Sequence, residues 1–505
     1  MVSDDQLART RPSQPTPVPL ADLADWLARR GGIRTEGNLS VAVTGLSLSS
    51  RRIRPGDLYA ALPGQRAHGI DFAAGAVAAG AVAVLTDEAG ADRVPDVPAL
   101  VVDRPRQVLG GLAAQVYGDP ASSLRLVGVT GTQGKTTATR LAEGGLQVAG
   151  IPAAVVGTVG TRIAGEDVKT DLTTPEAPDL HGLFALMVER GVEACVMEVS
   201  SHALVMGRVD GVVFDVAVFT NLGRDHLDFH HDLEDYYAAK ASLFTPERAR
   251  RALINIDDPY GRRLAEETSL PVRTFSAAGA DADWRATDVD LAATGSAFVV
   301  HGPDGVRFWG GVPLPGDFNV SNALAAVAAC AEAGFPAEPV ASGVAAGGGV
   351  PGRLERIEAG QDFAVVVDYA HKPDALEAAL RSLRPLTTGR LIVLLGAGGD
   401  RDPGKRPLMG EIAARLADVL VVTDDNPRSE DPAAIRAEIM AGTADASAAV
   451  VEVGDRRQAI REALARAGRG DIVLVAGKGH ETGQEVAGEV HPFDDREVVR
   501  EELHR

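Results

Sequence analysis

Cysteine is nearly absent from this 505-residue chain: only Cys195 and Cys330 occur, in separate segments. Two distant thiols build neither a disulfide framework nor a cysteine metal site, so a reducing cytoplasm is the expected compartment. Long hydrophobic runs are missing too. No apolar stretch approaches the ~18 residues that a membrane span needs, and no stable membrane insertion is expected. Aromatic residues make up 4% of a chain that is 45% hydrophobic, which leaves Ala, Val and Leu to build the cores. Basic residues are outnumbered, 50 against 70 acidic, for a formal charge of −20. A field of that sign argues against nucleic-acid binding while leaving room for a local basic cleft that takes an anionic ligand. The N-terminal "RTRPSQPTPVP" has four prolines and no apolar core after them. It fails as a signal peptide and reads as a disordered tail over 1–19.

What is present is α/β patterning. Short β-branched runs alternate with Ala/Leu-rich helical stretches, which predicts layers built on largely parallel sheets. A chain of this length exceeds one core, and three blocks are visible: 20–118, 119–350 and 351–505. Near the second boundary the glycine-rich "ASGVAAGGGVPGR" (341–353) reads as a hinge or linker. In the third block four apolar strands, "FAVVVDYAH", "RLIVLLGAGGD", "DVLVVTDDNPR" and "DIVLVAGKGHE", each end in a polar or glycine-rich cluster. Open α/β sheets bind ligands outside the carboxyl ends of their strands, so these clusters are expected to converge on one crevice.

The second block opens with "GVTGTQGKTTATRLAEGGL", a strand, a glycine turn and a helix. Gly131 and Gly134 let backbone N–H groups turn inward, Lys135 adds a cation, and Thr136 offers a hydroxyl to Mg²⁺ at a helix N-terminus. Val129 stands where the usual spacing has its first glycine. An ordinary βα turn is the plainer alternative, and "GAGGDR" (396–401) a dinucleotide alternative that lacks its last glycine. Downstream, Glu198, Ser200, Ser201, His202 and Arg208 follow one buried-looking strand, and Asp225, His226, Asp228 and His230 follow another. Oxygen and imidazole groups there suit a triphosphate and its magnesium. Capping or hydrogen bonding is the alternative for His202 and His230, and simple solvation for Lys240.

Nine segments occur in the order seen in a known family: "TGTQGKTT", "MEVSSH", "NLGRDHLDFH", "FNVSNALAA", "PGRLE", "VDYAHKPDALE", "GAGGDRDPGKRP", "DDNPRSEDP" and "GKGHE". Over residues 40 to 500 the chain resembles the Mur ligases, and within them the diaminopimelate-adding type. The resemblance implies a UDP-precursor-binding domain over 20–118, a central P-loop ATPase domain over 119–350 and a C-terminal Rossmann-like, amino-acid-binding domain over 351–505. It implies ATP-dependent amide ligation in cytoplasmic peptidoglycan precursor synthesis. ATP phosphorylates the D-glutamate carboxylate of UDP-N-acetylmuramoyl-L-alanyl-D-glutamate, and an incoming amine displaces the phosphate. The partners are then small molecules, and the protein is expected to act as a monomer.

Carried over by motif, Gly131, Thr132, Gln133, Gly134, Lys135, Thr136 and Thr137 cradle the phosphates. Asn319, Asn322, Arg353, Asp368 and His371 complete the nucleotide side, with structural capping as their alternative. Thr136, Glu198, His226 and Lys240 resemble the metal set, Lys240 as a carbamate. With Lys135, the last three form the implied catalytic group. On the precursor side fall Leu48, Ser50, Gln65, Arg66, Ala67, His68, Thr173, Thr174, Ser200 and Arg208. Ser49, Gln133, Leu172 and Met206 depart from the family pattern. Arg401, Asp425, Asn426, Pro427, Arg428, Gly477 and Glu481 are expected to hold diaminopimelate, Arg428 gripping its distal carboxylate by paired charge-assisted bonds and Glu481 taking the distal ammonium. The alternative for Arg428 is an exposed turn arginine that neutralises Asp424 and Asp425. A nucleotide-driven switch leaves the four strand-end clusters unexplained, and "DDNPR" argues against a neighbouring ligase such as folylpolyglutamate synthetase.

Overall fold

The computed structural model describes residues 10–64, 66–226, 229–444 and 447–505. The chain divides into two compact units, one of Met1–Phe275 with Ala325–Val340, the other of Ser276–Leu324 with Ala341–Arg505.

Among its described residues the first unit carries two large sheets, besides the short pairing of Val18–Pro19 with Ala42–Val43. The smaller is built from β1 (Ile33–Glu36), β2 (Gly45–Ser47), β3 (Asp57–Ala60), β4 (Ala83–Thr86) and β5 (Ala99–Val102), in the order β1-β5-β4-β3-β2 and parallel except for β1. Its larger neighbour contains β6 (Arg125–Thr130), β7 (Ala153–Gly157), β8 (Gly160–Ile163), β9 (Glu166–Val168), β10 (Ala194–Glu198), β11 (Val216–Phe219), β12 (Ala252–Asn255) and β13 (Val272–Ser276). Their order is β9-β8-β7-β10-β6-β11-β12-β13, parallel from β7 onward. "RLVGVT" and "ACVME" are near-continuous apolar runs because helices cover both faces of such a sheet. The carboxyl ends of β6, β10 and β11 therefore open on one edge, where the phosphate loop and both acidic clusters begin.

The expected disorder over 1–19 is corrected for residues 10–19. Thr10 and Arg11 are buried. The Arg11 guanidinium donates to both oxygens of Asp57 (2.9 and 2.8 Å) and to the Leu46 carbonyl (3.1 Å), and Val18–Pro19 pairs with Ala42–Val43. A proline-rich composition predicted no core here, but one buried charge pair supplies the anchor that composition cannot reveal.

The second unit holds an antiparallel meander, β14 (Trp284–Ala292), β15 (Gly295–His301) and β16 (Arg307–Val312), and a six-stranded sheet. The latter consists of β17 (Glu355–Ile357), β18 (Ala364–Asp368), β19 (Leu391–Leu395), β20 (Val419–Val422), β21 (Ala449–Glu452) and β22 (Ile472–Ala476) in the order β17-β18-β22-β19-β20-β21. All of it except β17 is parallel. The four strands singled out above are thus adjacent and co-directional, and their polar ends emerge side by side. A hairpin, β23 (Gly483–Val486) and β24 (Glu489–Pro492), follows. Helix Ala337–Ala346 absorbs the first half of the stretch expected to be a hinge.

Candidate active site

The phosphate loop closes around its own backbone. Gly131 has φ +150°, and a Cβ there would lie 1.9 Å from Thr220 Oγ1, so only glycine fits. Gly134 caps helix Lys135–Val148 with φ +84°, which points the first free N–H groups into the loop. Lys135 Nζ donates to the Gly131 and Thr132 carbonyls (2.8 and 3.1 Å). Lys240, expected from composition alone to be solvated, is 1% exposed and donates to the same Gly131 carbonyl at 2.7 Å. Its ammonium also lies 4.3 Å from the centre of the Tyr236 ring. Two ammonium groups thus share one carbonyl oxygen, a concentration of positive charge suited to phosphates. Thr136 and Thr137 are buried at the head of the helix.

Sequence reasoning gave no role to Thr220 and Asn221, which hold this loop in shape. Thr132 N donates to the Asn221 carbonyl (3.0 Å), Gln133 N to Asn221 Oδ1 (2.9 Å), and Thr220 Oγ1 to the Gln133 carbonyl (2.7 Å). Asn221 lies inside the quoted "NLGRDH" segment, so its signal was present but unread. His226 sits in the left-handed region (φ +53°), uncommon for a non-glycine residue and a mark of strain kept at functional positions. Its ring packs 4.8 Å from that of His202. His230 follows the plainer reading: it is buried and bonds Ser201 Oγ (2.9 Å) and Asp235 (3.3 Å).

Glu198 ends β10 almost fully buried. Its two oxygens accept from Thr158 N (2.8 Å) and Thr158 Oγ1 (3.0 Å), and Thr158 Oγ1 in turn meets Thr173 Oγ1 (3.1 Å). Thr174 Oγ1 donates to the Glu198 carbonyl (2.9 Å) and accepts from Ser200 N (3.2 Å). Hydrogen bonds therefore join Glu198, Thr173, Thr174 and Ser200 into one cluster. Arg208 joins it through the Thr174 carbonyl (3.4 Å) and pairs with Glu176 (2.9 Å), which Arg106 also reaches (3.0 Å). Met206, one of the departures, places its sulfur 3.5 Å from the Arg208 guanidinium, and Leu172 is exposed. Beside Arg106 and Met206 lies a cavity of about 420 Å³.

The remaining precursor-side residues are less convergent. Leu48 packs against the apolar core of the smaller sheet. His68 accepts from Ile70 N (3.0 Å) and meets Asp87 at 3.0 Å, a capping arrangement. Arg66 and Ala67 are exposed, Ser50 is half-buried, and Gln65 lies outside the described residues. Asp228 lies outside them as well.

In the second unit, Asn319 and Asn322 bond each other (3.1 Å) near the start of helix Asp317–Glu332. Asp368 accepts from Leu354 N and Ala370 N (2.7 and 2.8 Å); burial raises its pKa against the opposing pull of Arg353. Burial also lowers the His371 pKa to about 4, with Lys372 adding to the effect, so its imidazole is neutral at neutral pH.

The motifs expected to hold the amino acid lie at the strand ends. Arg428 also has left-handed backbone (φ +54°), locked by its N–H on the Glu485 carbonyl (3.0 Å) and its carbonyl on Ala487 N (2.7 Å). Its guanidinium donates to the Gly399 carbonyl (2.7 Å) and to Glu485 Oε2 (3.2 Å). Asp424 instead pairs with Arg436, and Asp425 faces Lys478 at 4.0 Å, so Arg428 neutralises neither. Pro427 is buried between Asn426 and Arg428, whereas Arg401 is exposed and donates to the Asp400 carbonyl (3.3 Å). Gly477 must be glycine, because at φ +117° a Cβ would lie 2.5 Å from Asp425 Oδ2. Glu481, expected to await a substrate ammonium, already meets one: Lys478 Nζ at 3.2 Å, with Asn426 Nδ2 at 2.8 Å. Lys478 was part of "GKGHE" but received no role, because its burial follows from tertiary packing.

Three domain models cover most of the chain: "Mur ligase family, catalytic domain" over 42–117, "Mur ligase middle domain" over 129–330 and "Mur ligase, glutamate ligase domain" over 352–479. A protein of Streptomyces coelicolor is 55% identical over 508 residues, spanning 98% of this chain and 99% of its own. The chain belongs to the Mur ligase family. That relative is named UDP-N-acetylmuramoyl-L-alanyl-D-glutamate--2,6-diaminopimelate ligase. A Leifsonia xyli protein named UDP-N-acetylmuramyl-tripeptide synthetase is 45% identical across 97% of this chain and 96% of its own. Among solved Mur ligase structures, one titled as a UDP-N-acetylmuramoyl-L-alanyl-D-glutamate--2,6-diaminopimelate ligase superposes with a TM-score of 0.69 at 34% identity, covering 97% of this chain and 99% of that one.

Proposed function

We propose that this Mur ligase joins diaminopimelate to UDP-N-acetylmuramoyl-L-alanyl-D-glutamate in an ATP-dependent reaction. The observation that carries the reading is the cluster of Asp425, Asn426, Arg428, Gly477 and Glu481 after the parallel strands β20 and β22, which flank β19, in a chain whose relatives bear that name. A carboxylate is a poor acyl donor. One of its oxygens attacks the γ-phosphorus of ATP, the bond to ADP breaks, and an acyl phosphate forms. The amine of diaminopimelate then attacks the acyl carbon, phosphate leaves with the C–O bond electrons, and the surplus proton passes to solvent. Little covalent chemistry is asked of the protein, so positioning and charge neutralisation do most of the work.

Lys135 and the loop N–H groups are suited to the phosphates, and the Thr174 and Arg208 cluster to the precursor's peptide. Hydroxyl, carboxylate and imidazole donors fit a hard cation, so Thr136, Glu198 and His226 would hold Mg²⁺, which neutralises phosphate charge when bound. A carbamate on Lys240 would turn the second of two crowded cations into an anion able to join that set. Arg428 suits the distal carboxylate, which lysine lacks. The reaction is expected in the cytoplasm, with the enzyme as a monomer and small molecules as its partners; no helix among the described residues is long and apolar enough to cross a membrane.

Phosphate release from ATP, measured with the UDP-dipeptide and either diaminopimelate or lysine, tests the proposal. Turnover is expected only with precursor and diaminopimelate together, and Arg428→Ala is expected to raise the KM for diaminopimelate at least about tenfold more than that for ATP. Release without either co-substrate refutes ligation, and equal turnover with lysine refutes the specificity.

A further inference from the structure

We propose that Lys478 is a specificity-determining residue: a fixed internal cation whose charge makes the amino-acid pocket favour a zwitterionic distal group over a cationic one. The inference rests on the reading of that pocket given above. Lys478 is wholly buried. Its Nζ lies 3.0 Å from Asn426 Oδ1, 3.2 Å from Glu481 Oε2 and 4.0 Å from Asp425 Oδ1. Three residues expected to receive the incoming amino acid therefore converge on one ammonium group of the protein itself. A buried lysine is tolerated only where it is paired and hydrogen-bonded, and these three groups meet that requirement.

Lys478 also orients the asparagine. Asn426 Oδ1 accepts from Lys478 and from Glu485 N (3.0 Å), while its Nδ2 donates to Glu481 (2.8 Å). Turning the amide over would place its donors against Lys478 and Glu485 N, so the acceptor faces the lysine.

The charges can be counted. Summed over Asp425, Glu481, Glu485, Lys478 and Arg428, which pairs with Glu485 at 3.2 Å, the charge is one net negative; nearby Arg401, Lys405 and the Arg456–Asp495 pair are the same in every variant considered below. Removing the Lys478 charge would leave two. The far end of diaminopimelate is an ammonium plus a carboxylate, neutral overall; the far end of lysine is a bare cation. Extra negative charge attracts the cation and, to first order, leaves the zwitterion unmoved. Arg428 selects for the carboxylate, and Lys478 works against the substrate that lacks one; specificity commonly uses both kinds of element.

Lys478→Met keeps the apolar stem and removes the charge. With the full-length enzyme, ATP and the UDP-dipeptide, the ratio of kcat/KM for diaminopimelate to that for lysine is expected to fall about tenfold. A purely structural defect lowers both values together, so an unchanged ratio overturns the proposal. Lys478→Gln, which keeps a donor for Asn426 and Glu481, is a second neutral variant and is expected to shift the ratio the same way even where Lys478→Met does not fold. Adding Glu481→Gln to Lys478→Met restores one net negative charge and is expected to recover part of the lost discrimination; a further fall instead overturns the charge account. Wild-type enzyme that uses neither amino acid refutes the pocket reading and the inference with it. A diaminopimelate-selective wild type whose neutral variants keep its ratio refutes the inference alone.

Discussion

At the scale of the residue, Lys240 shows how little composition says about a charged side chain. Lysine is mostly solvated, yet this one is almost fully buried against Tyr236 and shares the Gly131 carbonyl with Lys135. Two cations on one oxygen repel, and burial strengthens the repulsion. The proposed carbamylation of Lys240 would remove the conflict by making one of the pair an anion. Purified protein equilibrated with carbon-13 bicarbonate is therefore expected to show one carbamate resonance in the folded state, absent from Lys240→Gln and lost on unfolding. No difference between wild type and the variant would leave Lys240 as an ordinary buried cation. The resemblance drew attention to Lys240, while Thr220 and Asn221, which brace the same loop, went unread although Asn221 lies inside a quoted motif.

At the scale of the element, a buried ion pair ties the amino-acid loops to the last helix. Arg456, at the start of helix Arg456–Ala465, and Asp495, at the start of helix Asp495–Leu503, are both fully buried and bonded at 2.8 and 2.7 Å. The same guanidinium donates to the Asp424 carbonyl after β20 (3.2 Å) and the Ala476 carbonyl of β22 (3.0 Å). One arginine thus braces the backbones from which Asp425 and Gly477 project. Arg456→Ala would strand the Asp495 charge in the core, at a cost of about 3–5 kcal/mol, whereas Arg456→Met with Asp495→Leu, which buries no charge, is expected to regain most of it. Hydrogen exchange of the β20 and β22 amides is the measurement, and equal protection in the two variants would count against the clamp. Parallel strands that end in polar clusters were readable from apolar runs, because two-sided burial forces a continuous pattern; their order in the sheet was not. The clamp was not, since its partners lie 39 residues apart and nothing local marks them.

At the scale of the whole molecule, stability against pH is a balance. Lowering the pH relieves the repulsion of a −20 charge, while buried histidines act in the opposite direction. His181 is fully buried, meets the Asp210 carbonyl at 3.3 Å, and burial lowers its pKa from 6.5 to about 4. Above pH 6.5 it is neutral whether folded or unfolded, and its burial costs nothing in proton binding. As the pH falls from 6.5 towards 4 the unfolded chain takes up a proton that the folded one refuses, and stability is lost, up to about 3 kcal/mol. Unfolding midpoints across that range are expected to fall less steeply in His181→Asn than in wild type; parallel curves would show that His181 contributes nothing to acid sensitivity.

Sequence by itself determined the α/β class, the phosphate loop, the strand-end location of the amino-acid motifs and the family, because apolar periodicity and short glycine-bearing motifs are local properties. Only the tertiary structure decided that residues 10–19 are pinned by Arg11 on Asp57, that Glu198 is held by Thr158, and that Arg428 meets Glu485 rather than the aspartates beside it. It also decided that Lys478 is buried and bonded to Asn426 and Glu481, at the centre of the proposed amino-acid pocket. A charged side chain's partner is set by distance in space, and the strands that bring such partners together are joined by long crossovers that no local pattern measures.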